Sequence, residues 1–261
     1  MTSLLQQNIH PRDKHIEFDE PTHIYTIDGD NNYKSVTTWI HDFFPYFDAD
    51  HVIAKMRAGK NWGPSNKYYG LTNEEIKEGW KQNGQEAAML GTAIHLNIEY
   101  FYNDQPFTPG FEDTPEYQLF QEYQSDHLLY KPYRTEWTVY SKKYRLAGSI
   151  DMVYIDPDDP DKVVLADWKR SKEIRYSNKW EKGFGPLAET DNCNYNHYCL
   201  QLNLYRLILE KYYRKQVTEM FLVILHPNQN TYIKIVVPRI WKPIMEMLAE
   251  RKNEIKGRSV L

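Results

Sequence analysis

Apolar and polar positions alternate most clearly in the middle of the chain. Ile150, Met152, Val153 and Ile155, then Val163, Val164 and Leu165, form two short apolar runs of the length and composition of buried strands. The predicted strands are 145–155 and 162–169, with an acidic turn containing Pro157 and Pro160 between them, where proline ends ladder pairing. Upstream, residues 16–18 and 23–27 alternate like a β-hairpin around Asp19-Glu20-Pro21. Residues 133–140, 219–225 and 232–237 are further strands.

Helical spacing fills the rest. Ser35 or Thr37 is a candidate cap for a short helix running to Phe44, and Asp48 or Asp50 for a second running to Ala58. Thr72 and Glu75 make a capping box that opens a long helix to about Tyr102, with Ile76, Trp80, Ala87, Leu90, Ile94 and Ile98 as its apolar stripe. Helices are also predicted over 114–129, 195–213 and 238–255. Residues 59–70 have loop composition, with Lys60, Lys67, Trp62, Tyr68 and Tyr69 interleaved; such a loop is either plain surface or a grip on a nucleic-acid strand. The order predicts one α/β domain with a helical N-terminal elaboration.

Composition narrows the class. A chain of 261 residues with 41% hydrophobic positions can bury a substantial core. No apolar run has membrane-spanning length, and the first twenty residues lack a signal peptide's apolar centre, so an intracellular, non-secreted protein is expected. Two cysteines, Cys193 and Cys199, are too few for an all-thiolate zinc site or an iron–sulfur cluster. A net charge of −4 neither advertises nor excludes nucleic-acid binding, which depends on local basic patches.

The chemistry sits in the apolar runs. Asp151 lies in the first strand. Asp167 and Lys169, two apart in the second, share a face, with Trp168 on the other. Two buried carboxylates close together need a compensating charge: either a divalent cation with oxygen ligands or a structural Asp–Lys pair. Two further pairs, His95 with Glu99 and Gln201 with Tyr205, are each four apart on a helix and so share a face.

In order, Gly91-Thr92-x-x-His95-x-x-x-Glu99, Ala147-Gly148-x-Ile150-Asp151, Asp167-Trp168-Lys169 and Gln201-x-x-x-Tyr205 resemble the motifs of the RecB-type branch of the PD-(D/E)XK nuclease superfamily. The likeness covers about 95–225. Ser35-Val36-Thr37 extends it loosely toward the mitochondrial genome maintenance exonucleases and related viral or phage proteins. Isoleucine precedes the first Asp where the superfamily's name has proline, and the second acidic residue is Asp rather than Glu.

The resemblance implies a restriction-endonuclease-like core of order αβββαβ, a central mixed sheet flanked by helices. The expected layout is an elaboration at 1–71, the core at 72–237 and a C-terminal helix at 238–261. It implies a single-stranded DNA exonuclease of replication, repair or recombination, using one or two Mg²⁺ or Mn²⁺ ions and no iron–sulfur cluster. The alternatives are a structure-specific endonuclease or a nucleic-acid-binding module. The implied metal ligands are His95, Asp151, Asp167, the Trp168 backbone carbonyl and Glu99. Lys169 is the implied catalytic cation, with Gln201 and Tyr205 orienting it or touching substrate. DNA contacts are expected from Arg170, Lys172, Arg175, Lys142, Lys143 and Arg145, with Trp62, Tyr68 or Trp80 stacking on bases, and replication or repair proteins are possible partners.

Overall fold

A computed structural model describes residues 2–258; residue 1 and residues 259–261, which the expected domain bounds include, lie outside the described residues. The chain divides into two compact units. One takes in the chain up to Pro45 and again from Ile94 onward; the other is Tyr46–Ala93.

The elements in chain order are α1 (Leu4–Gln7), β1 (Ile16–Asp19), β2 (Ile24–Ile27), β3 (Lys34–Ser35), α2 (Val36–His41), α3 (Ala49–Ala58), α4 (Asn73–Tyr102), α5 (Pro115–Asp126), β4 (Lys131–Ser141), β5 (Leu146–Ile155), β6 (Lys162–Lys169), α6 (Asn194–Ile208), β7 (Gln216–Ile224), β8 (Ile233–Val236) and α7 (Lys242–Arg258). The fold is mixed α/β. Of the two candidate caps in each case, Ser35 closes α2 and Asp48 closes α3, each side-chain oxygen accepting from the N–H three residues on. Thr72 and Glu75 do form the reciprocal box at the start of α4.

The larger unit is built on β5. β4 runs antiparallel along one edge of it. Its other edge is shared: β3 pairs with its start in parallel, at Leu146 and Ala147, and β6 pairs with its end, from Met152↔Ala166 to Ile155↔Val163. β7 then runs parallel to β6, and β8 antiparallel to β7. Pro157 and Pro160 sit in the β5–β6 turn, where Asp156 accepts from the N–H groups of Asp158 and Asp159.

Strand alternation sorts the side chains. Val163 and Leu165 join one core, with Trp39 and Ile40 of α2, Leu200 and Leu204 of α6 and Ile244 of α7. Val164, Ala166 and Trp168 join a second, with Ile94 and Ile98 of α4 and Phe120 and Tyr123 of α5. The mixed sheet thus carries helices on both faces.

The differences from the sequence reading are local. α1 and β3 are too short to leave a periodic signal. The predicted 195–213 helix is α6 continued by one π-helical turn, Leu209–Tyr213, ending at left-handed Arg214. α7 starts at Lys242 rather than 238, and β7 begins three residues earlier than expected.

Candidate metal and phosphate site

β5 and β6 stop pairing after Met152↔Ala166. The next register position sets Asp151 opposite Asp167, and opposed residues of an antiparallel pair share a face. The Trp168 N–H donates to Asp151 Oδ2 at 2.9 Å, so this carboxylate takes the place of a ladder carbonyl where the strands part.

On β4, Thr135↔Met152 and Trp137↔Ile150 bracket Glu136, which lies across from Asp151. Glu136 has φ 42°, a left-handed backbone inside a strand, which costs roughly 1–3 kcal/mol and marks functional positions. Ser149 Oγ donates to Glu136 Oε2 at 2.9 Å.

α4 brings His95 to the same point. Its Nε2–H donates to the Trp168 carbonyl at 2.9 Å, and its Nδ1 lies 3.4 Å from Asp151 Oδ2 and 3.6 Å from Glu136 Oε1. One ligating atom from each of His95, Glu136 and Asp151 falls within 4.8 Å of the others. Burial alone would lower the pKa of His95. Asp151 and Glu136 outweigh it and raise the imidazole to about 9.

The second carboxylate is anchored from both sides. Gln201 Nε2 donates to Asp167 Oδ1 at 3.0 Å, and Lys169 Nζ lies 2.7 Å from Asp167 Oδ2. Asp167 is almost fully buried, and burial together with the charge of Asp151 pushes its carboxyl above the usual carboxylate range, against the pull of Lys169. Burial would discharge Lys169, but Asp167 and Asp151 hold it charged, above the ordinary lysine value.

The expected residues distribute as follows. His95, Asp151, Asp167 and Lys169 converge. Glu99, one turn beyond His95, stands outside the ligating trio; burial and the charges of Glu136 and Glu20 raise its carboxyl. The Trp168 carbonyl faces the site but accepts from His95. Gln201 holds Asp167 rather than Lys169. Tyr205 is buried with its ring on Gly148, where a Cβ would come within 2.7 Å of it, so it packs against the strand.

The expected DNA contacts are less concentrated. Arg170 is held in a largely buried ion pair with Glu116 at 2.8 Å. Arg175 pairs with Glu173 on the surface, and Lys172 is exposed. Lys142 pairs with Asp28 and Arg145 with Asp30, and Lys143 lies over Tyr144; all are at the β4–β5 turn. Arg145 is six residues from Asp151, about 20 Å along an extended strand. Trp62 and Tyr68 belong to the 46–93 unit, where Trp62 lies beneath Arg57 and Tyr68 accepts from Trp80 Nε1 at 2.7 Å.

Glu136 is the residue that the sequence reading missed. Its signal was a single acid inside an otherwise well-buried strand, readable only once its register against Asp151 is known. A cavity of about 300 Å³ is lined by Lys169 together with Thr37, Ile40, His41, Asn194, His197, Tyr198 and Gln201.

No family model and no curated protein matches the chain. Solved structures that overlap it include SSO0001, at 12% identity and TM-score 0.37, over 87% of this chain and 78% of that one. Another, named "Putative exonuclease", from Eubacterium rectale, overlaps at 13% identity and TM-score 0.40, over 87% and 79%.

Proposed function

We propose that the chain is a divalent-cation-dependent nuclease of the PD-(D/E)XK type, hydrolysing phosphodiester bonds in DNA, with ends of single strands as its substrate. The convergence of His95, Glu136 and Asp151 beside the Asp167–Lys169 pair carries the reading. The order α4, β4, β5, β6, α6, β7, with β7 parallel to β6, supports it.

The donor set fits a cation. Three carboxylates, Glu136, Asp151 and Asp167, face two basic groups, His95 and Lys169, and Asp167 Oδ2 is buried without a hydrogen bond of good geometry. His95, Glu136 and Asp151 would hold the ion, with Asp167 adjoining. One imidazole among oxygens favours Mn²⁺ over Mg²⁺. A bound cation supplies Lewis acidity, making a water acidic near neutral pH and a phosphate electrophilic.

The chain's own groups do the rest. The Nε2–H bond to Trp168 fixes the His95 tautomer, leaving Nδ1 to face the carboxylates once its proton is displaced. Lys169, pinned to Asp167, places a permanent positive charge beside the phosphate and offsets the negative charge that develops there. Gln201 keeps Asp167 from rotating away.

The test is hydrolysis of end-labelled linear and circular single strands, duplex DNA and RNA, each with Mn²⁺, Mg²⁺ or chelator. The expected result is cation-dependent loss of linear single strands, with circles spared. Equal cutting of circles would make the enzyme an endonuclease, and cutting in chelator would remove the metal mechanism.

A further inference from the structure

Apart from Lys169 and Gln201, the residues that line the cavity beside Lys169 have no part in the hydrolytic step. Its lining differs in kind from the neighbouring acidic group: Thr37, Ile40, His41, Lys169, Asn194, His197, Tyr198 and Gln201 include no carboxylate. A pocket with a retained ammonium and no acid is a place for an anion. The N-terminal end of α6, where Asn194 and His197 sit, adds the positive end of a 15-residue helix dipole.

The two imidazoles are neighbours, with ring centroids 4.9 Å apart in an edge-to-face arrangement. His197 also lies tilted against Phe44, with ring centroids 4.2 Å apart, and is bonded through Nε2 to Asn192 Oδ1 at 3.0 Å, so its ring is fixed. His41 is exposed at the rim. Burial, then the neighbouring His41, lowers His197 to about 4. The groups facing it are His41, Phe44 and Asn192, with Lys169 and Tyr198 across the cavity. Ile40 and the Tyr198 ring provide apolar wall beside these donors. The volume is at the small end of ligand pockets, near that of one nucleotide.

We propose that this cavity seats the end nucleotide of the strand by its terminal phosphomonoester, with Lys169, His41 and Thr37 as donors, the His197 ring beside them, and Ile40 and Tyr198 against the sugar or base. Because Lys169 is shared with the acidic group, an end held here places the adjoining phosphodiester at that group. This rests on the nuclease reading of the acidic site. The chemistry recognised is a phosphomonoester, at either the 5′ or the 3′ end.

Two arms test it separately. In the first, the full chain in chelator is titrated with deoxyadenosine monophosphate (5′ or 3′) and with deoxyadenosine, following histidine ring signals by NMR. One monophosphate is expected to shift the His41 and His197 signals and to bind at least about tenfold more tightly than the nucleoside, the equivalent of one charge-assisted hydrogen bond. His41→Gln, at the exposed rim, is expected to lose most of that difference; His197→Gln checks the deeper ring. This arm needs no catalysis, so it stands if the nuclease reading fails.

In the second, linear single strands with a 5′-phosphate, a 3′-phosphate or neither are hydrolysed. One phosphorylated end is expected to show a KM at least about tenfold lower, lost in His41→Gln, with kcat on the unphosphorylated strand unchanged. Equal binding of nucleotide and nucleoside, or a phosphate preference untouched by both substitutions, would overturn the assignment and leave the acidic site as it is.

Discussion

Lys169 has two unlike sides. On one side it pairs with Asp167 and feels the charge of Asp151, next to the His95, Glu136 and Asp151 group. Toward α2 and α6 it lines a cavity without a carboxylate. The strands supply the acids and Lys169, and the helices supply neutral polar groups and apolar wall, so the acidic character ends at a single side chain. A cation and a phosphate placed side by side need that arrangement, whereas a structural Asp–Lys pair needs neither side.

The largest expected effect comes from the acidic side. Asp151→Asn is predicted to lower hydrolysis by at least about 10³-fold and to abolish Mn²⁺ binding, since a ligand and the strand-end hydrogen bond to Trp168 are both altered. Lys169→Met is predicted to cost about 10²–10³-fold in kcat while leaving Mn²⁺ bound as tightly or more so, because a competing positive charge is gone. Parallel loss of metal in both variants would erase the distinction between the sides. Glu136→Gln is predicted to weaken Mn²⁺ by about 10–100-fold, read by calorimetry.

Smaller effects test the scaffold. Gly148→Ala places a methyl 2.7 Å from the Tyr205 ring and is predicted to destabilise by about 1–3 kcal/mol, seen as a lower denaturation midpoint with an unchanged slope. The metal-free protein is predicted to lose stability as pH rises. His95 binds its proton more tightly when folded (about 9) than at its ordinary 6.5, so its contribution is complete below 6.5 and disappears as pH climbs through 9. Asp167, also raised, acts in the same direction at lower pH. Between pH 6 and 9 the Tm in chelator is predicted to fall on the order of 5 °C, and saturating Mn²⁺ to remove most of the fall.

Much of this was legible before any coordinates. The apolar runs around Asp151 and Asp167 gave the two strands, and the i, i+2 spacing put Asp167 and Lys169 on one face. Capping chemistry located the starts of α2, α3 and α4, though not which of two candidates capped the first two. Glu136 was hidden because its role depends on register across β4 and β5 and on a left-handed backbone that only coordinates reveal. The partner of Arg170 is hidden as well, because proximity in sequence to Lys169 says nothing about Glu116, 54 residues earlier, which binds it. Tyr205 shared a helical face with Gln201, but the strand beneath it carries Gly148, and the ring fills that gap.

The most direct measurement is Mn²⁺ titration of the full chain at neutral pH by calorimetry, beside Asp151→Asn and Glu136→Gln, with hydrolysis of a linear single strand followed in the same samples. The predicted result is Mn²⁺ binding by the unaltered chain, lost in the first variant and weakened in the second, with hydrolysis falling in step. Undiminished Mn²⁺ binding in Asp151→Asn, or hydrolysis that persists in chelator, would contradict the assignment of His95, Glu136 and Asp151 as the cation site.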